Sequence, residues 1–378
     1  MVRRHPRTTP QDAPRQQPAW RKEELRSLPK VELHVHLEGT VSPEVARSLA
    51  RRHGLDPEAE LPLVAGRYPP VFTDFPQFVR LYLAVSRQIR TPDELAGVAA
   101  DFARRQTDEG VRYTEVTFTA LTHVRNGLEP RAMWEALRAG LGESGPDCEI
   151  RLIIDALRNR GAEDAERTVA LVADADAPVV GLGLTGREDP ANEGAFRVLR
   201  RAADRLGLGL TVHAGEAGPP ASVRAALDDL GADRIGHGIS AMRDAQLLAR
   251  LASEQVPLEI CPSSNVRLSL VPSLDAHPFP ELWRAGVNVT VNSDDPAFFA
   301  TTLSNELRHV ARLAGLEHSD LAELQRRAAR AAFAPPDVRR RLLAAIDHWA
   351  LDEPDGRHGR DPTIFAAAPE GPTQRPEE

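Results

Sequence analysis

Short apolar runs alternate along this chain with longer segments in which apolar residues recur every three or four positions. The first pattern is typical of buried strands and the second of amphipathic helices. Eight strands that alternate with helices indicate the α/β class, here a parallel (β/α)8 TIM-type barrel with extra helices. The predicted strands are Val31–Leu37, Tyr113–Ala120, Glu149–Leu157, Val179–Gly186, Gly209–Glu216, Arg234–Ser240, Pro257–Asn265 and Val287–Asp295.

A long helical insertion is predicted between the first two strands. Residues 41–112 are too many for a single crossover, and they contain two helical patterns, Phe75–Ile89 and Asp93–Arg105. Ser42-Pro43-Glu44 begins a further helix, because an N-cap residue is followed by proline at the first helical position. We expect this insertion to cover the mouth of the barrel. Later helices are predicted at Glu193–Arg205, Ala221–Leu230, Asp244–Glu254, Pro280–Ala285, Ser304–Leu313, Asp320–Phe333 and Pro336–Ala350.

The two ends of the chain differ in composition from its middle. Residues 1–20 and 353–378 have no periodic apolar face and are rich in proline and polar residues, so we predict disordered tails. Residues 21–352 are expected to form a single barrel domain, since barrels of this kind commonly reach ~250 residues or more.

Charge and cysteine content exclude several classes of protein. A formal net charge of −8 argues against a protein that binds the nucleic-acid backbone. Two cysteines, Cys148 and Cys261, are too few for a disulfide framework and fit a reducing cytosol. No apolar run approaches the ~18 residues of a membrane span, and the N-terminus lacks the apolar core of a secretion signal. We therefore expect a cytoplasmic protein without nucleic-acid or membrane partners, whose oligomeric state the pattern leaves open.

Ionisable residues occupy the ends of several predicted strands. His34 and His36 are two apart in the first strand, so both imidazoles face the same side, and Glu38, two residues further, is predicted to point the same way into the pocket. A single histidine in a strand is usually a satisfied core residue. Chemistry in such barrels occurs at the carboxyl ends of the strands, however, and packing alone would favour aliphatic side chains. The other residues of this kind are Glu38, His213, Glu216, His237, Asp294 and Asp295.

This combination predicts a mononuclear zinc hydrolase. Imidazole and carboxylate groups suit zinc, and an open position would hold a water molecule whose pKa the metal lowers towards ~7. Glu216 would act as a general acid if the pocket raises its pKa. His237 would orient or deprotonate the water, and Asp295 would accept a hydrogen bond from the substrate. The predicted zinc ligands are His34, His36, His213 and Asp294.

Five motifs resemble those of the adenosine and adenine deaminase family of the amidohydrolase superfamily. The resemblance extends over nearly all of residues 28–316, and the motifs are highly specific when they occur together in this order. It implies a barrel of the metal-dependent hydrolase kind. The motifs are Leu28–Gly39, His213–Glu216, Arg234–Gly238, Cys261–Asn265 and Ser293–Pro296.

The resemblance implies hydrolytic replacement of a purine 6-amino group by oxygen, with release of ammonia. It also implies one zinc ion per subunit, no other cofactor, and a purine nucleoside and water as partners. Zinc-activated water would attack C6 while Glu216 protonates N1, with His237 and Asp294 helping to activate the water. The implied substrate contacts are Glu38, His36, Asp295 at N7 and the Gly186 backbone N–H at N3.

Glu38 and the end of the fourth strand bear on which purine is the substrate. Adenosine deaminases usually have Asp in place of Glu38, to reach the ribose 5′-hydroxyl, whereas adenine deaminases usually have Glu there. At the end of the fourth strand, however, adenine deaminases tend towards Ser-Glu, and Leu184-Thr185-Gly186 is the nucleoside-type sequence. The combination resembles enzymes that deaminate aminodeoxyfutalosine on the futalosine route to menaquinone. We rank that substrate first, adenosine second and adenine, in purine salvage, third. Most surface arginines are simply solvated. Four arginines could nevertheless bind the benzoate carboxylate of aminodeoxyfutalosine: Arg80, Arg87, Arg125 and Arg187.

Two other classes of function compete with this interpretation. A catalytically inactive barrel that binds a nucleoside would have lost Glu216 or a metal ligand, and all of these residues are present. A binuclear amidohydrolase would have a carboxylated lysine between two metals. The only lysines, Lys22 and Lys30, lie at no predicted strand end.

Overall fold

The computed structural model describes residues 20–352, whose centre is an eight-stranded sheet. Each strand pairs in parallel with the next one along the chain. The strands are β1 (Lys30–His36), β2 (Val111–Phe118), β3 (Glu149–Leu157), β4 (Val179–Thr185), β5 (Gly209–Ala214), β6 (Arg234–His237), β7 (Leu258–Ile260) and β8 (Val289–Val291).

β1 also meets the segment that follows β8, and this contact closes the sheet. The His36 N–H donates to the Asp294 carbonyl at 2.8 Å, and the Asp294 N–H donates to the His34 carbonyl at 3.1 Å. The predicted parallel (β/α)8 barrel is confirmed. Because the joint lies at the carboxyl ends of the strands, it brings Asp294 directly beside the two histidines of β1.

Helices occupy the connections between the strands, and short 3₁₀ turns follow several strand ends. The 3₁₀ turns are Glu38–Thr40, Arg158–Arg160, Glu193–Phe196, Ile239–Arg243 and Leu274–Ala276. The helices are α1 (Lys22–Ser27), α2 (Pro43–Arg52), α3 (Pro57–Glu60), α4 (Phe75–Ser86), α5 (Pro92–Asp108), α6 (Ala120–Arg125), α7 (Pro130–Leu141), α8 (Ala162–Ala173), α9 (Arg197–Leu206), α10 (Pro220–Asp228), α11 (Ala245–Glu254), α12 (Pro262–Arg267), α13 (Phe279–Arg284), α14 (Pro296–Phe299), α15 (Leu303–Ala314), α16 (His318–Ala331) and α17 (Pro336–Leu351).

The insertion between β1 and β2 contains both predicted helices, as α4 and α5, together with α2 and α3. α2 begins as predicted: Ser42 Oγ accepts a hydrogen bond from the Val45 N–H at 3.2 Å, and Pro43 takes the first helical position. Within residues 20–352, no helix is both long enough and apolar enough to span a membrane.

The last four strands end earlier than predicted. β7 ends at Ile260, and the residues predicted to continue it form α12. Pro262 lacks the N–H that a sheet requires but fits the first turn of a helix. β8 likewise ends at Val291, ahead of Asp294. Several of the polar motif residues therefore lie in turns at the rim of the barrel, where their side chains can converge.

The predicted tails lie outside the described residues, except at Trp20. The sequence predicts that Trp20 belongs to the N-terminal tail, but its side chain is 5% exposed and its indole N–H donates to the Leu316 carbonyl at 3.2 Å. The prediction was wrong at this position because tertiary contacts with a distant segment, which the local pattern does not show, bury the ring.

Candidate active site

Five of the predicted site residues meet at the carboxyl ends of the strands. His34 and His36 come from β1, His213 from β5 and His237 from β6, while Asp294 follows β8. His34 Nε2 and His36 Nε2 lie 3.3 Å and 3.4 Å from Asp294 Oδ1. His36 Nε2 also lies 3.3 Å from His213 Nε2. Each of the five residues is at most 9% exposed, so they form one buried cluster.

The spacing of these atoms fits a four-coordinate cation. Ligand atoms at ~2.0–2.1 Å from a tetrahedral zinc ion lie ~3.3–3.4 Å from one another, and the three measured N–O and N–N distances fall in this range. His34 Nε2 is buried and, although Asp294 Oδ1 lies 3.3 Å away, it makes no hydrogen bond in the described part of the chain. Imidazole nitrogen and carboxylate oxygen are also ligand types that zinc prefers. The residues present therefore fit the metal that the sequence predicts.

The geometry leaves two candidate sets of four ligands. The ligating atoms of His34, His213, His237 and Asp294 all lie within 4.8 Å of one another. His237 could therefore take the place that the sequence analysis assigned to His36, although His237 Nε2 is 3.9 Å from the nearer Asp294 oxygen. The position of the proton on His237 decides between the two sets, since a nitrogen that carries a proton cannot bind a metal.

Buried charges behind the cluster orient His34. Glu259 on β7 accepts a hydrogen bond from His34 Nδ1 at 2.9 Å, which leaves Nε2 to face the metal position. Arg234 lies between Glu259 and Glu115, 2.6 Å from a carboxylate oxygen of each. Burial opposes the charged form of His34, but Asp294 and Glu259 outweigh it and raise its pKa to about 10. The negative charge around His34 thus favours a cation at this point.

Two residues of the cluster have an unusual backbone conformation. His237 and Asp294 both have φ of 62°, which residues with a Cβ adopt rarely and mostly where function requires it. A close approach nearby requires glycine, because a Cβ on Gly39 would lie 1.9 Å from Asp295 Oδ1. The turn after β1 therefore leaves room for the Asp295 carboxylate at the rim.

Glu216 lies in a loop that another carboxylate organises. Glu188 accepts hydrogen bonds from the four successive backbone N–H groups of residues 215–218, at 2.6–3.0 Å. Glu216 Oε1 lies 3.6 Å from His237 Nε2. Burial, together with the negative charges of Asp294 and Glu188, raises the pKa of Glu216 well above its ordinary value. A carboxyl group that keeps its proton near neutral pH can serve as a general acid.

A cavity of about 790 Å³, its open mouth included, lies in front of this cluster. Its volume suits a ligand of nucleoside size. One part of its lining is ionisable, and another is an apolar face of α4 that suits a planar base. The ionisable lining comprises His36, Asp155, Arg160, His213, Glu216, His237, Asp294 and Asp295. α4 contributes Phe75, Phe78, Val79, Tyr82 and Leu83.

Three of the four predicted substrate contacts line this cavity. His36 is one of them. Gly186 follows β4 with φ of 89°, a conformation that glycine adopts without strain. Asp295 lines the cavity as well, and its Oδ1 has no hydrogen-bond partner among residues 20–352.

Glu38, the fourth predicted contact, does not lie where the sequence predicts. β1 ends at His36 and Glu38 begins a 3₁₀ turn, so it does not continue the strand face. Its buried Oε1 accepts hydrogen bonds from the Thr119 N–H at 3.1 Å and from His123 Nε2 at 3.0 Å. Burial would raise the pKa of Glu38, but the bond to His123 and its charge outweigh burial and lower the pKa. Thr119 lines the cavity, whereas Glu38 itself does not.

None of the four arginines considered for the cavity mouth lines the cavity. Arg125 forms an ion pair with a carboxylate on α8, and Arg80, Arg87 and Arg187 are exposed but are not part of the lining. Arg160, in the 3₁₀ turn after β3, lines it instead and has no ion-pair partner in the described ranges. Sequence reasoning missed Arg160 because its position depends on the path of that turn.

Asp155 on β3 is a further cavity residue that sequence reasoning missed. Its Oδ2 accepts a hydrogen bond from the Thr185 hydroxyl at 2.5 Å, while Oδ1 has no partner within residues 20–352. Burial raises the pKa of Asp155 to about 7, with the Thr185 hydrogen bond opposing and Glu38 adding to the rise. The available signal was a single carboxylate within the apolar run Ile150–Leu157, where packing favours aliphatic residues.

The chain matches known proteins over most of its length. A family model described as adenosine deaminase matches residues 29–349. The aminodeoxyfutalosine deaminase of Streptomyces avermitilis is 39% identical over 335 residues, which cover 86% of this chain and 92% of that protein. The adenine deaminase of Streptomyces coelicolor is 38% identical over 330 residues, covering 86% and 96%. The crystal structure of adenine deaminase from Arthrobacter aurescens has a TM-score of 0.77 and 32% identity, covering 86% of this chain and 99% of that one.

Proposed function

Because the chain belongs to the adenosine deaminase family, we propose that it converts aminodeoxyfutalosine to futalosine, on a route to menaquinone. Membership of the family makes it a hydrolytic deaminase of an adenine-type substrate. The observation that supports the particular substrate is Arg160, the one arginine that lines the cavity, which has no ion-pair partner among the described residues. Aminodeoxyfutalosine has a carboxylate with which Arg160 can pair, whereas adenosine and adenine have none.

In the proposed mechanism, some side chains of the cavity bind the purine base and others transfer the proton and position the water molecule. The α4 side chains Phe78 and Tyr82 pack against the base, Asp295 contacts N7 and the Gly186 N–H contacts N3. Glu216 donates its proton to N1, which draws electrons from C6. A water molecule beside His237 then adds to C6 on the side of the metal position. These roles are supported by the convergence of the side chains on one cavity.

The water molecule and Glu216 supply every proton that this reaction needs, so no other reactant is required. The water oxygen forms a bond to C6 as one of its O–H bonds breaks, and that proton goes to a neighbouring base. The same proton is then delivered to the amino nitrogen, the C6–N bond breaks and ammonia leaves. The C6 hydroxyl gives its remaining proton to the ionised Glu216 as the carbonyl forms, which restores the acid for the next cycle.

We assign the metal as Zn²⁺, one per chain, held by His34, His36, His213 and Asp294. Deaminases of this family depend on a metal, and three of the distances between these donor atoms match the spacing of a tetrahedral site. When bound, zinc supplies a Lewis acid that makes water nucleophilic near neutral pH. Glu259 contributes by holding His34 in the tautomer that faces the metal.

We also propose that the protein acts in the cytoplasm without nucleic-acid partners. Cys148 and Cys261 are both buried and form no disulfide, as expected in a reducing compartment. The formal net charge of −8 disfavours binding to a polyphosphate backbone.

Arg160→Ala is expected to lower kcat/KM for aminodeoxyfutalosine by about 3- to 10-fold, because the variant loses one solvent-exposed charge pair with the carboxylate. Adenosine has no carboxylate, so its kcat/KM should stay nearly constant. Steady-state kinetics on both substrates provide the measurement, and the difference should shrink at high ionic strength.

Arg187→Ala is the matched control for this variant, since Arg187 is exposed but does not line the cavity. It should leave both substrates unaffected. An equal loss on both substrates in Arg160→Ala would show that Arg160 shapes the cavity without binding the carboxylate.

Glu38→Asp is expected to shift preference towards adenosine through Thr119, by at most the ~1–3 kcal/mol that one methylene contributes inside a pocket. The shorter side chain draws the carboxylate away from Thr119 and His123, so Thr119, which lines the cavity, should shift. The measurement is the ratio of kcat/KM for aminodeoxyfutalosine and adenosine in both proteins. An unchanged ratio would place selectivity elsewhere, for instance in the insertion between β1 and β2.

The function itself is tested by assaying ammonia release from purified, zinc-loaded protein. Adenine, adenosine, methylthioadenosine and aminodeoxyfutalosine are compared at equal concentrations. The highest kcat/KM is expected for aminodeoxyfutalosine. A preference for adenine would instead support the second candidate, adenine deaminase, which the 38% identity to the Streptomyces coelicolor adenine deaminase favours.

A further inference from the structure

A buried chain of polar groups runs from the start of α13 to His237. The Phe279 backbone N–H donates to His277 Nδ1 at 3.1 Å. His277 Nε2 lies 3.1 Å from Asn265 Oδ1, and Asn265 Nδ2 lies 3.5 Å from His237 Nδ1. The three side-chain members are at most 2% exposed, so their polar atoms must find partners inside the protein.

The Phe279 backbone N–H, at one end of this series of polar groups, determines the direction of every hydrogen bond in the series. A backbone N–H can only donate, so His277 Nδ1 accepts. Burial lowers the pKa of His277 to about 4, so the ring is neutral near pH 7 and its one proton lies on Nε2. His277 Nε2–H therefore donates to Asn265 Oδ1, and the Asn265 amide donates to His237 Nδ1. Since Nδ1 of His237 accepts, the single proton of a neutral His237 lies on Nε2.

We infer that Asn265 and His277 are positioning residues that hold the proton of His237 on Nε2, so that His237 donates a hydrogen bond to the reacting oxygen and does not take a proton from it. This inference rests on the proposed function, in which a water molecule reacts beside His237. It also separates the two candidate ligand sets. A protonated Nε2 cannot bind a metal, so His36 and not His237 completes the set.

Because His237 donates a hydrogen bond from Nε2, another group must accept the proton that the water molecule releases. The protonated Nε2 lies 3.6 Å from Glu216 Oε1 and 3.9 Å from Asp294 Oδ2, so it faces the two carboxylates beside the reacting water. Glu216 is ionised once it has protonated N1, and it accepts the proton released as the water O–H bond breaks and the C6–O bond forms. Glu216 then passes this proton to the leaving amino nitrogen, and the C6 hydroxyl restores the acid. The His237 N–H stabilises negative charge on the oxygen throughout.

The location of the proton is measured by ¹⁵N NMR of zinc-loaded protein labelled at histidine. The His237 signals are identified as those missing from His237→Gln. We expect His237 Nδ1 to be unprotonated and Nε2 to be protonated. Asn265→Asp puts an acceptor in place of the amide donor, so the proton should move to Nδ1. A protonated Nδ1 in the unmodified protein, or no change in Asn265→Asp, would overturn the inference.

Two substitutions of His277 provide a matched kinetic test. The glutamine amide nitrogen reaches the position of imidazole Nε2, so His277→Gln keeps the donor to Asn265, whereas the shorter His277→Asn does not. We expect His277→Asn to lower kcat by about 10-fold or more with little change in KM, and His277→Gln to keep most of kcat. Equal losses in both variants would indicate a purely structural role and contradict the inference.

Failure of this inference can be told apart from failure of the proposed function. The NMR measurement needs no substrate. If no purine is deaminated but the His237 proton lies on Nε2, the proposed function fails and the proton assignment stands. If deamination occurs and the proton lies on Nδ1, the function stands and the role given to Asn265 and His277 is wrong.

Discussion

Glu216→Gln is expected to lower kcat by ~10²–10⁴-fold, the usual contribution of a positioned general acid. The variant cannot deliver a proton to N1, while the rest of the cavity keeps its shape. Burial and neighbouring carboxylates raise the pKa of Glu216 well above its ordinary value, which favours the neutral form of the native side chain. Glutamine therefore replaces one neutral group by another of the same size, and the fold should be as stable as before.

Zinc content and Tm measured beside kcat establish that the loss is catalytic. Both should match the unmodified protein, because Glu216 is not in the proposed ligand set. Glu135→Gln on the exposed face of α7 makes the same substitution far from the cavity and should change nothing. A loss in kcat smaller than about tenfold for Glu216→Gln would mean that the N1 proton comes from another group.

His213→Ala is expected to remove the metal and, with it, the activity. His213 Nε2 lies 3.3 Å from His36 Nε2, and alanine deletes one of the four proposed ligands at the centre of the cluster. The loss of activity should exceed the ~10–100-fold that is typical when a residue that contacts a metal ligand, but not the metal, is replaced. Elemental analysis of the dialysed protein should find about one zinc per chain in the unmodified protein and far less in the variant.

His318→Ala provides the control, because His318 is also buried but stacks on Trp349 at the far end of the chain. It should retain zinc and activity even if it lowers the free energy of unfolding. Active protein without any metal, or a His213→Ala variant that keeps both metal and activity, would refute the zinc assignment.

The number and order of the strands could be predicted from sequence, because apolar periodicity and proline–cap pairs are local signals. Ser42 and Pro43 began α2 as expected for this reason. Strand ends were less predictable. Whether a residue after Ile260 continues the sheet depends on a neighbouring strand being there to pair with, and Pro262 began a helix instead.

The chemistry of the site was visible in the types of residue at the strand ends, since few structural roles call for several buried histidines and carboxylates on one rim. The partners of those residues were not visible. Glu259 orients His34 from 225 positions away along the chain, and His123 holds Glu38 from 85 positions away. Glu259 is a lone carboxylate in an apolar run, but the local sequence around Glu259 or His123 does not show which residue either one contacts.

The sequence by itself determined the fold class and the residues that carry the chemistry, through local periodicity and residue type. Only the tertiary structure decided which side chains face the cavity. Arg160 lines it although Arg80, Arg87 and Arg187 do not, and Glu38 lies behind Thr119. The tertiary structure also determined where the proton of His237 resides, since the backbone N–H that decides it belongs to Phe279, 42 positions further along the chain. Side-chain direction and proton position depend on neighbours that closure of the barrel brings together, and no local pattern encodes them.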